Sequence, residues 1–256
     1  MSQLFHLLLY KPIFNAFVAL YNIIPGHDVG IVILAITVLI RLALYPLTNS
    51  SIKSQQSLQG LQPKMEEIKK KHANDKAKQS QEIMALYKNN KVNPLTSCLP
   101  MLIQLPILIA LYMVLRDGLA SANLSTALYS FVHNPGTINQ ISLGFFNMAK
   151  PNVILAVLAG AAQYLQAKTL SRKQPPKVAG AGARDENMMT MMNKQMLYFM
   201  PAMTVIIGMS LPAGLTLYWF FSTALMALQQ LWMNKKHPVA VTTDSGKVIE
   251  GEVVKK

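Results

Sequence analysis

Long apolar segments alternate with polar ones along most of this chain. Five apolar segments occupy residues 28–48, 95–115, 152–168, 196–210 and 214–233. A helix crosses a bilayer with about 20 residues, so the pattern predicts an all-α polytopic membrane protein with five transmembrane helices. The third and fourth segments are short and reach only about 23–26 Å as helices. Either the bilayer thins around them, or their ends lie in a water-filled recess.

The segment before the first span is apolar, whereas the segment after it is polar and rich in lysine. Residues 1–27 are apolar but contain Pro12, so we expect an interfacial amphipathic helix from Pro12 to Ile23 rather than a straight spanning helix. An atypical signal sequence is the alternative for this segment. Residues 50–93 are rich in lysine and carry apolar residues at helical spacing, which predicts a helical hairpin that turns near residues 73–75. This hairpin is either a solvated spacer or a docking arm for a partner.

Three further segments are predicted to lie outside the membrane core. In the loop of residues 116–150 we expect short helices on the membrane surface. Residues 169–195 are rich in Pro, Gly and Ala, which is typical of a flexible loop. The tail, residues 234–256, is polar without periodicity and is predicted to be disordered.

The charge of the chain indicates its orientation. The formal net charge is +13, and the basic residues lie between the apolar segments rather than on one soluble domain. This distribution excludes a DNA-binding module and follows the positive-inside pattern of membrane proteins. The hairpin and the 169–195 loop hold most of the Lys and Arg, so we predict that they are cytoplasmic. The N-terminus is then outside the membrane and the C-terminal tail is cytoplasmic.

Several kinds of chemistry find no support in the sequence. Cys98 is the only cysteine, so an intrachain disulfide is excluded. The five histidines are scattered, and nothing suggests a metal site or a bound cofactor. No Ser/His/Asp set, acidic pair within a span or nucleotide-binding loop is present, so we do not expect an enzyme.

Arg41 is the most informative single residue, because it is a fixed charge inside the first span. An arginine near the centre of a membrane helix costs about 2.5–3.5 kcal/mol on insertion scales, which makes it a candidate functional residue. The alternative is that its side chain snorkels to the headgroups. All eleven acidic residues lie in loops or at span ends, so Arg41 has no carboxylate partner in the spans. This favours water or a visiting anion as its partner. Gln104 is also polar at membrane depth, and we expect it to face the bundle or a wet cavity.

Four strings occur in one order along the chain: LIRLALYPLT, LQPKMEEIKKKH, QEIMALYKNNKVNPLTSCLPMLIQLPILIALY and FMPAMTVIIGMSLPAGLTLYWFFSTALMALQQ. From Tyr10 to Trp232 the chain resembles the YidC/Oxa family of membrane protein insertases, in its short five-span bacterial form. The resemblance implies five helices around a hydrophilic groove that is open to the cytoplasm and to lipid. Arg41 matches the family's groove arginine, with Thr37 one turn before it. Gln163 and Trp219 match groove-lining positions, although some members carry tyrosine in place of Trp219.

The resemblance implies an insertase and chaperone that helps newly made membrane proteins enter and fold in the bacterial plasma membrane. Its partners would be nascent membrane proteins and the lipid bilayer, with the ribosome and the Sec translocon as further candidates. On the hairpin, the candidate partner contacts are Lys64, Lys69, Lys70 and Lys71. A small-solute transporter or channel is the alternative function. However, five spans do not divide into the two equal repeats that many transporters show.

Overall fold

The computed structural model describes residues 3–93, 95–120, 127–171, 195–236, 241–242 and 248–249. Helices account for most of the described residues, and the chain is an all-α membrane protein. The helices are α1 (Gln3–Ile23), α2 (Val29–Ala43), α3 (Tyr45–Gly60), α4 (Gln62–Lys71), α5 (Lys76–Asn89), α6 (Leu95–Ala120), α7 (Val153–Ser171), α8 (Gln195–Gly208) and α9 (Ala213–Lys236). There are also two antiparallel pairs of short strands. Strand β1 (Ile141–Ser142) pairs with β2 (Phe146–Asn147), and β3 (Val241–Thr242) pairs with β4 (Val248–Ile249).

Two described helices are long and apolar enough to cross a membrane, by length and composition. They are α1 and the Leu102–Leu119 part of α6. The pair α2 and α3 passes the same test only together, and it is bent by 65°. The five-span arrangement therefore stays a prediction.

The prediction that Pro12 interrupts the N-terminal segment is wrong. Helical structure continues from Gln3 to Ile23, with a π-turn at His6–Tyr10 immediately before the proline region. Proline lacks a backbone N–H and collides with the preceding turn of an α-helix, and a wider π-turn relieves both problems without ending the helix.

The first predicted span, residues 28–48, is not one straight helix. Asp28 caps α2 by accepting hydrogen bonds from the backbone N–H groups of Gly30 and Ile31 at 2.8 and 3.1 Å. The helix ends at Ala43, and α3 starts in a new direction at Tyr45. Pro46 lies in the first turn of α3, where its missing N–H leaves no bond unmade. The apolar run therefore continues past the bend.

The hydrophobic core lies at the end of the molecule where α2 begins. Its fully buried side chains come from α1, α2, α6 and α9, and the largest include Phe14, Phe17, Ile33, Leu111, Leu115 and Tyr218. On α2 the buried residues stop at Thr37, about half-way along the helix. The half of α2 that carries Arg41 thus lies beyond the tightest packing.

Two loop predictions are also wrong. The loop expected from residue 116 starts later, because α6 continues to Ala120. Its described part contains no helix between residues 127 and 152 and instead forms the β1–β2 hairpin. Positive φ angles at Gly136, Leu143 and Gly144 are incompatible with a continuous helix there.

The structure describes only part of the two segments for which a flexible loop and a disordered tail are predicted, residues 169–195 and 234–256. Helix α9 continues through Asn234 to Lys236, and β3 pairs with β4, so these residues are not structureless as predicted for residues 234–256. Residues 169–171 of the predicted flexible loop belong to α7, and residues 172–194 lie outside the described part of the chain.

The lysine-rich segment forms two helices, α4 and α5, that pair along their apolar residues. Met65 is buried, and the hydroxyl of Tyr87 donates a hydrogen bond to its sulfur at 3.2 Å. Burial in this contact raises the pKa of Tyr87. In the turn between the helices, Asp75 caps α5 by accepting a hydrogen bond from the N–H of Lys78. At the other end α3 continues the segment back to the bend after α2.

Candidate functional site

Arg41 and Ser222 form the contact around which the candidate site is built. Arg41 lies in the last turn of α2, and its side chain is half-buried. The Nε and Nη2 atoms donate hydrogen bonds to Ser222 Oγ at 2.9 and 2.6 Å. Ser222 is buried on α9. The contact therefore joins the first predicted span to the last and holds the guanidinium in one orientation.

A second hydrogen bond links α9 to α6 one turn away from Ser222. Tyr218 lies one turn before Ser222, on the same face of α9. The hydroxyl of Tyr218 accepts a hydrogen bond from Gln104 Nε2 at 2.8 Å. The structure thus bonds two predicted residues, Arg41 and Gln104, to α9 one turn apart, at Ser222 and at Tyr218. Neither Ser222 nor Tyr218 is predicted from the sequence.

The electrostatic environment of Arg41 consists of neutral dipoles. Across the described residues, no carboxylate lies within ion-pair distance of the guanidinium. The inference that water or a visiting anion is its only partner was incomplete, because Ser222 accepts two of its N–H groups. A guanidinium has five N–H donors, and one hydroxyl oxygen neutralises none of its charge. Arg41 thus keeps its full positive charge for an anion.

Thr37 lies one turn before Arg41 but is fully buried. Its hydroxyl donates to the carbonyl oxygen of Ile33 within the same helix at 2.5 Å. Such a bond satisfies the hydroxyl without an outside partner. Thr37 therefore belongs to the packed layer beneath Arg41.

Gln163 lies in a separate contact on α7. Its Oε1 accepts a hydrogen bond from the hydroxyl of Thr204 on α8 at 2.5 Å. The two helices approach closely there, because a Cβ atom added at Gly160 would overlap the side chain of Val205. The described hydrogen bonds give Gln163 no direct link to Arg41.

Trp219 follows Tyr218 on α9 and is half-buried. Among the hydrogen bonds of the described residues, none joins Trp219 to Arg41, Gln104 or Gln163. Neighbouring residues on a helix differ by about 100° in direction, so Tyr218 and Trp219 face different surroundings. The sequence signal for Tyr218 and Ser222 is their spacing, four residues apart on one helix face.

Polar contacts continue from Arg41 toward the lysine-rich hairpin. Gln229 on α9 donates to Thr48 and Asn49 at 3.0 and 2.7 Å. Farther along, Gln56 donates to Asn234 at 2.7 Å. Where α2 begins, the bundle is packed with apolar side chains. Toward the hairpin, amide and hydroxyl groups form the contacts between helices. The polarity of the interior thus rises toward the hairpin.

The four predicted hairpin lysines lie on α4. Lys70 and Lys71 are exposed, while Lys64 and Lys69 are half-buried. Lys71 lies 3.9 Å from Glu82 on the paired helix, in a contact that is largely exposed. Ion pairs of this kind contribute little to stability, so Lys71, like Lys70, remains accessible to a partner. In the described part of the chain, no cluster of His, Cys, Asp and Glu has the geometry of a metal site.

The comparison with protein families matches residues 7–240 to a family described as 60Kd inner membrane protein. This match covers nearly the whole chain, including Arg41, Gln104, Tyr218 and Ser222. The chain belongs to this family. The resemblance to the YidC/Oxa insertases is thereby confirmed, and it places the protein in a bacterial inner membrane.

Individual members of the family are similar over most of the chain. A protein of Fusobacterium nucleatum named membrane protein insertase YidC is 38% identical over 207 residues, covering 81% of this chain and 86% of its own length. A protein of the same name from Anaeromyxobacter is 37% identical, and one from Rickettsia typhi is 33% identical. They align with 82% and 88% of this chain, but the aligned part is 33% and 38% of their own length.

Proposed function

We propose that the protein is a membrane protein insertase and chaperone, without enzymatic activity, that moves hydrophilic tails across the bilayer and releases apolar helices into lipid. The observation that carries the proposal is Arg41, a cation within an apolar helix that is oriented by a neutral hydroxyl. The insertase names of the relatives support the same function.

In the proposed mechanism, the polar interior near Arg41 is a groove that opens toward the lysine-rich hairpin. A groove that reaches part of the way across the membrane shortens the low-dielectric distance that a polar tail has to cross. Arg41 attracts acidic residues of that tail, with a Coulomb energy of about 4 kcal/mol at 4 Å and an effective dielectric constant near 20, before desolvation. Gln104, Gln163 and Trp219 would line this groove. The hairpin and the C-terminus are cytoplasmic in this proposal, and the N-terminus is outside.

Exposed apolar side chains on α7 and α8 support the release step. Only α8 is short, because α7 extends over 19 residues rather than the 17 expected. Val157, Leu158 and Leu165 on α7 are exposed, as are Ile206 and Ile207 on α8. These surfaces are suited to contact with lipid and with a substrate helix moving into it. The exposed Lys70 and Lys71 on the hairpin would contact the ribosome or the Sec translocon.

Complementation tests the function as a whole. A bacterial host whose own insertase is depleted should resume growth when this chain is produced in its membrane. The membrane level of the protein is measured in parallel by immunoblotting. If growth does not resume at a normal membrane level, the result favours the transporter alternative, whose sign would be solute uptake by proteoliposomes.

Ser222 provides a narrower test, because it acts through Arg41 as a positioning residue. We expect Ser222→Ala to reduce insertion of a single-span substrate with an acidic tail by about threefold. A hydrogen bond to a charged group contributes about 1.5–3 kcal/mol, and water replaces part of it. Insertion is measured by protease protection of the tail in proteoliposomes.

Two variants control for packing at this position. Ser222→Thr keeps the hydroxyl and should restore insertion, whereas Thr223→Ala removes a buried hydroxyl from the adjacent residue and should have no effect. An equal loss with acidic and neutral tails would contradict the positioning role, since only the acidic tail depends on the charge of Arg41.

A further inference from the structure

The loop between β1 and β2 ends in an exposed apolar tip, which comprises Leu143, Gly144 and Phe145. Leu143 is 62% exposed and Phe145 is 71% exposed. The ring of Phe145 lies against that of Phe146, with the ring centroids 4.3 Å apart. Phe146 in turn packs against the hydrophobic core. The exposed phenyl ring is therefore supported from below.

The tip is fixed to the start of α2. The carboxylate of Asp28 accepts a hydrogen bond from the N–H of Leu143 at 2.6 Å and another from the hydroxyl of Ser142. Gly30 leaves room for this contact, because a Cβ atom at that position would overlap Ser142 Oγ. The tip thus lies beside the start of the first predicted span.

The same loop is fixed to the start of α9. The N–H groups of Ala213 and Gly214 donate to the carbonyl oxygens of Lys150 and Met148, both at 2.9 Å. The tip therefore has a defined height relative to two of the predicted spans. It is a rigid feature of the fold at that end of the bundle.

The backbone conformation at Leu143 is unfavourable for a leucine. Leu143 has a φ of +52° and Gly144 a φ of +82°. Hairpin turns with two positive φ angles usually place Asn or Asp before Gly, because a bulky side chain is strained there. A leucine at this position contributes nothing to the turn itself. Its exposed apolar side chain points to a partner outside the protein.

The chain that follows the tip indicates which partner this is. Helix α7 begins at Val153, and the first two side chains of the helix, Val153 and Ile154, are 60% and 63% exposed. Apolar side chains this exposed at the start of a membrane helix are suited to lipid. Lys150, three residues earlier, supplies a cation at the same boundary. Phe and Leu side chains beside a lysine are typical of segments that bury an apolar face at the boundary between headgroups and acyl chains.

We propose that the tip inserts Leu143 and Phe145 into the lipid of the leaflet at the α2 start, where they anchor the bundle at a fixed depth. The two side chains would lie at the boundary between headgroups and acyl chains. This anchor is independent of the groove and of substrate binding, so it holds whether or not the protein is an insertase. The anchor would fix the depth of α2, α7 and α9 in that leaflet.

Fluorescence quenching in proteoliposomes tests the anchor. Cys98 is replaced by serine, Phe145 by cysteine, and position 145 is labelled with a bimane fluorophore. Nitroxide-labelled phosphatidylcholine, with the nitroxide at carbon 5 of the acyl chain, should reduce the emission at least twofold. Aqueous iodide should quench it several-fold less than it quenches a label at Gln81, which is exposed on α5. A Leu143→Cys label provides a second position, and circular dichroism confirms the helical content of each variant.

Two outcomes would overturn the proposal. Strong iodide quenching at both tip positions would show that the tip lies in water. Protection from iodide without quenching by lipid nitroxides would show that a protein surface, such as a second copy of the chain, covers the tip. Complementation of the insertase-depleted host by the unlabelled protein is read separately, so failure of the proposed function is not confused with failure of the anchor.

Discussion

Replacing Arg41 with alanine is expected to reduce insertion of a short single-span protein with an acidic tail by at least tenfold. The attraction between a guanidinium and a carboxylate is about 4 kcal/mol under the conditions considered above, and desolvation offsets part of it. A remainder of about 1.4 kcal/mol is already a factor of ten in rate. Insertion is measured by protease protection in proteoliposomes of matched protein content.

Arg41→Lys separates the charge from its orientation. Lysine keeps the positive charge but cannot place two donors on Ser222 in the same fixed geometry. We expect it to retain more activity than alanine and less than arginine. If both variants insert acidic tails normally, the proposed role of the charge is wrong.

Arg116 offers a matched control for the loss of an arginine. It is exposed at the far end of α6 and pairs with the neighbouring Asp117 at 2.8 Å. Arg116→Ala should therefore leave insertion unchanged. A substrate with a neutral tail is the second control, because its insertion should depend much less on Arg41.

Replacing Asp28 with alanine is expected to lower the free energy of unfolding by about 2–3 kcal/mol. The loss of an N-cap costs about 1 kcal/mol, and a buried hydroxyl left without a partner costs about 1–3 kcal/mol. Asp28 serves both the first turn of α2 and the buried hydroxyl of Ser142. The measurement is unfolding by SDS in mixed micelles, followed by circular dichroism.

Asp75→Ala is the matched control, because Asp75 also caps a helix but accepts only the capping bond from Lys78 in the described structure. We expect a loss of about 1 kcal/mol or less for this variant. Equal losses at Asp28 and Asp75 would show that the contact between α2 and the β1–β2 hairpin contributes nothing beyond a cap.

The sequence identifies Arg41 but not its partner, for a physical reason. A charge within an apolar segment is conspicuous, because its insertion is costly wherever it points. A serine in a membrane helix is not conspicuous, since it can bond to its own backbone or to a neighbouring helix. Ser222 gains its meaning only from the packing of α9 against α2, which local periodicity does not specify.

The helical segments follow from the apolar pattern, whereas their bends and the loop follow from single residues in tertiary context. Pro12 is tolerated because a π-turn precedes it, and α2 ends at Ala43 although the apolar run continues. The β1–β2 hairpin was missed because each strand has two residues and its turn places Leu143 where a turn residue is expected. Such short strands depend on the contacts around them.

The contact between Arg41 and Ser222 has a consequence for biosynthesis, because the two residues are 181 positions apart. A ribosome that has made α2 has most of the chain still to synthesise before α9 emerges. During that interval the guanidinium lacks its serine acceptor, and water or lipid phosphate has to solvate it. If α2 enters the membrane as it is made, it does so before its own site exists, and the site is completed only when α9 has been synthesised.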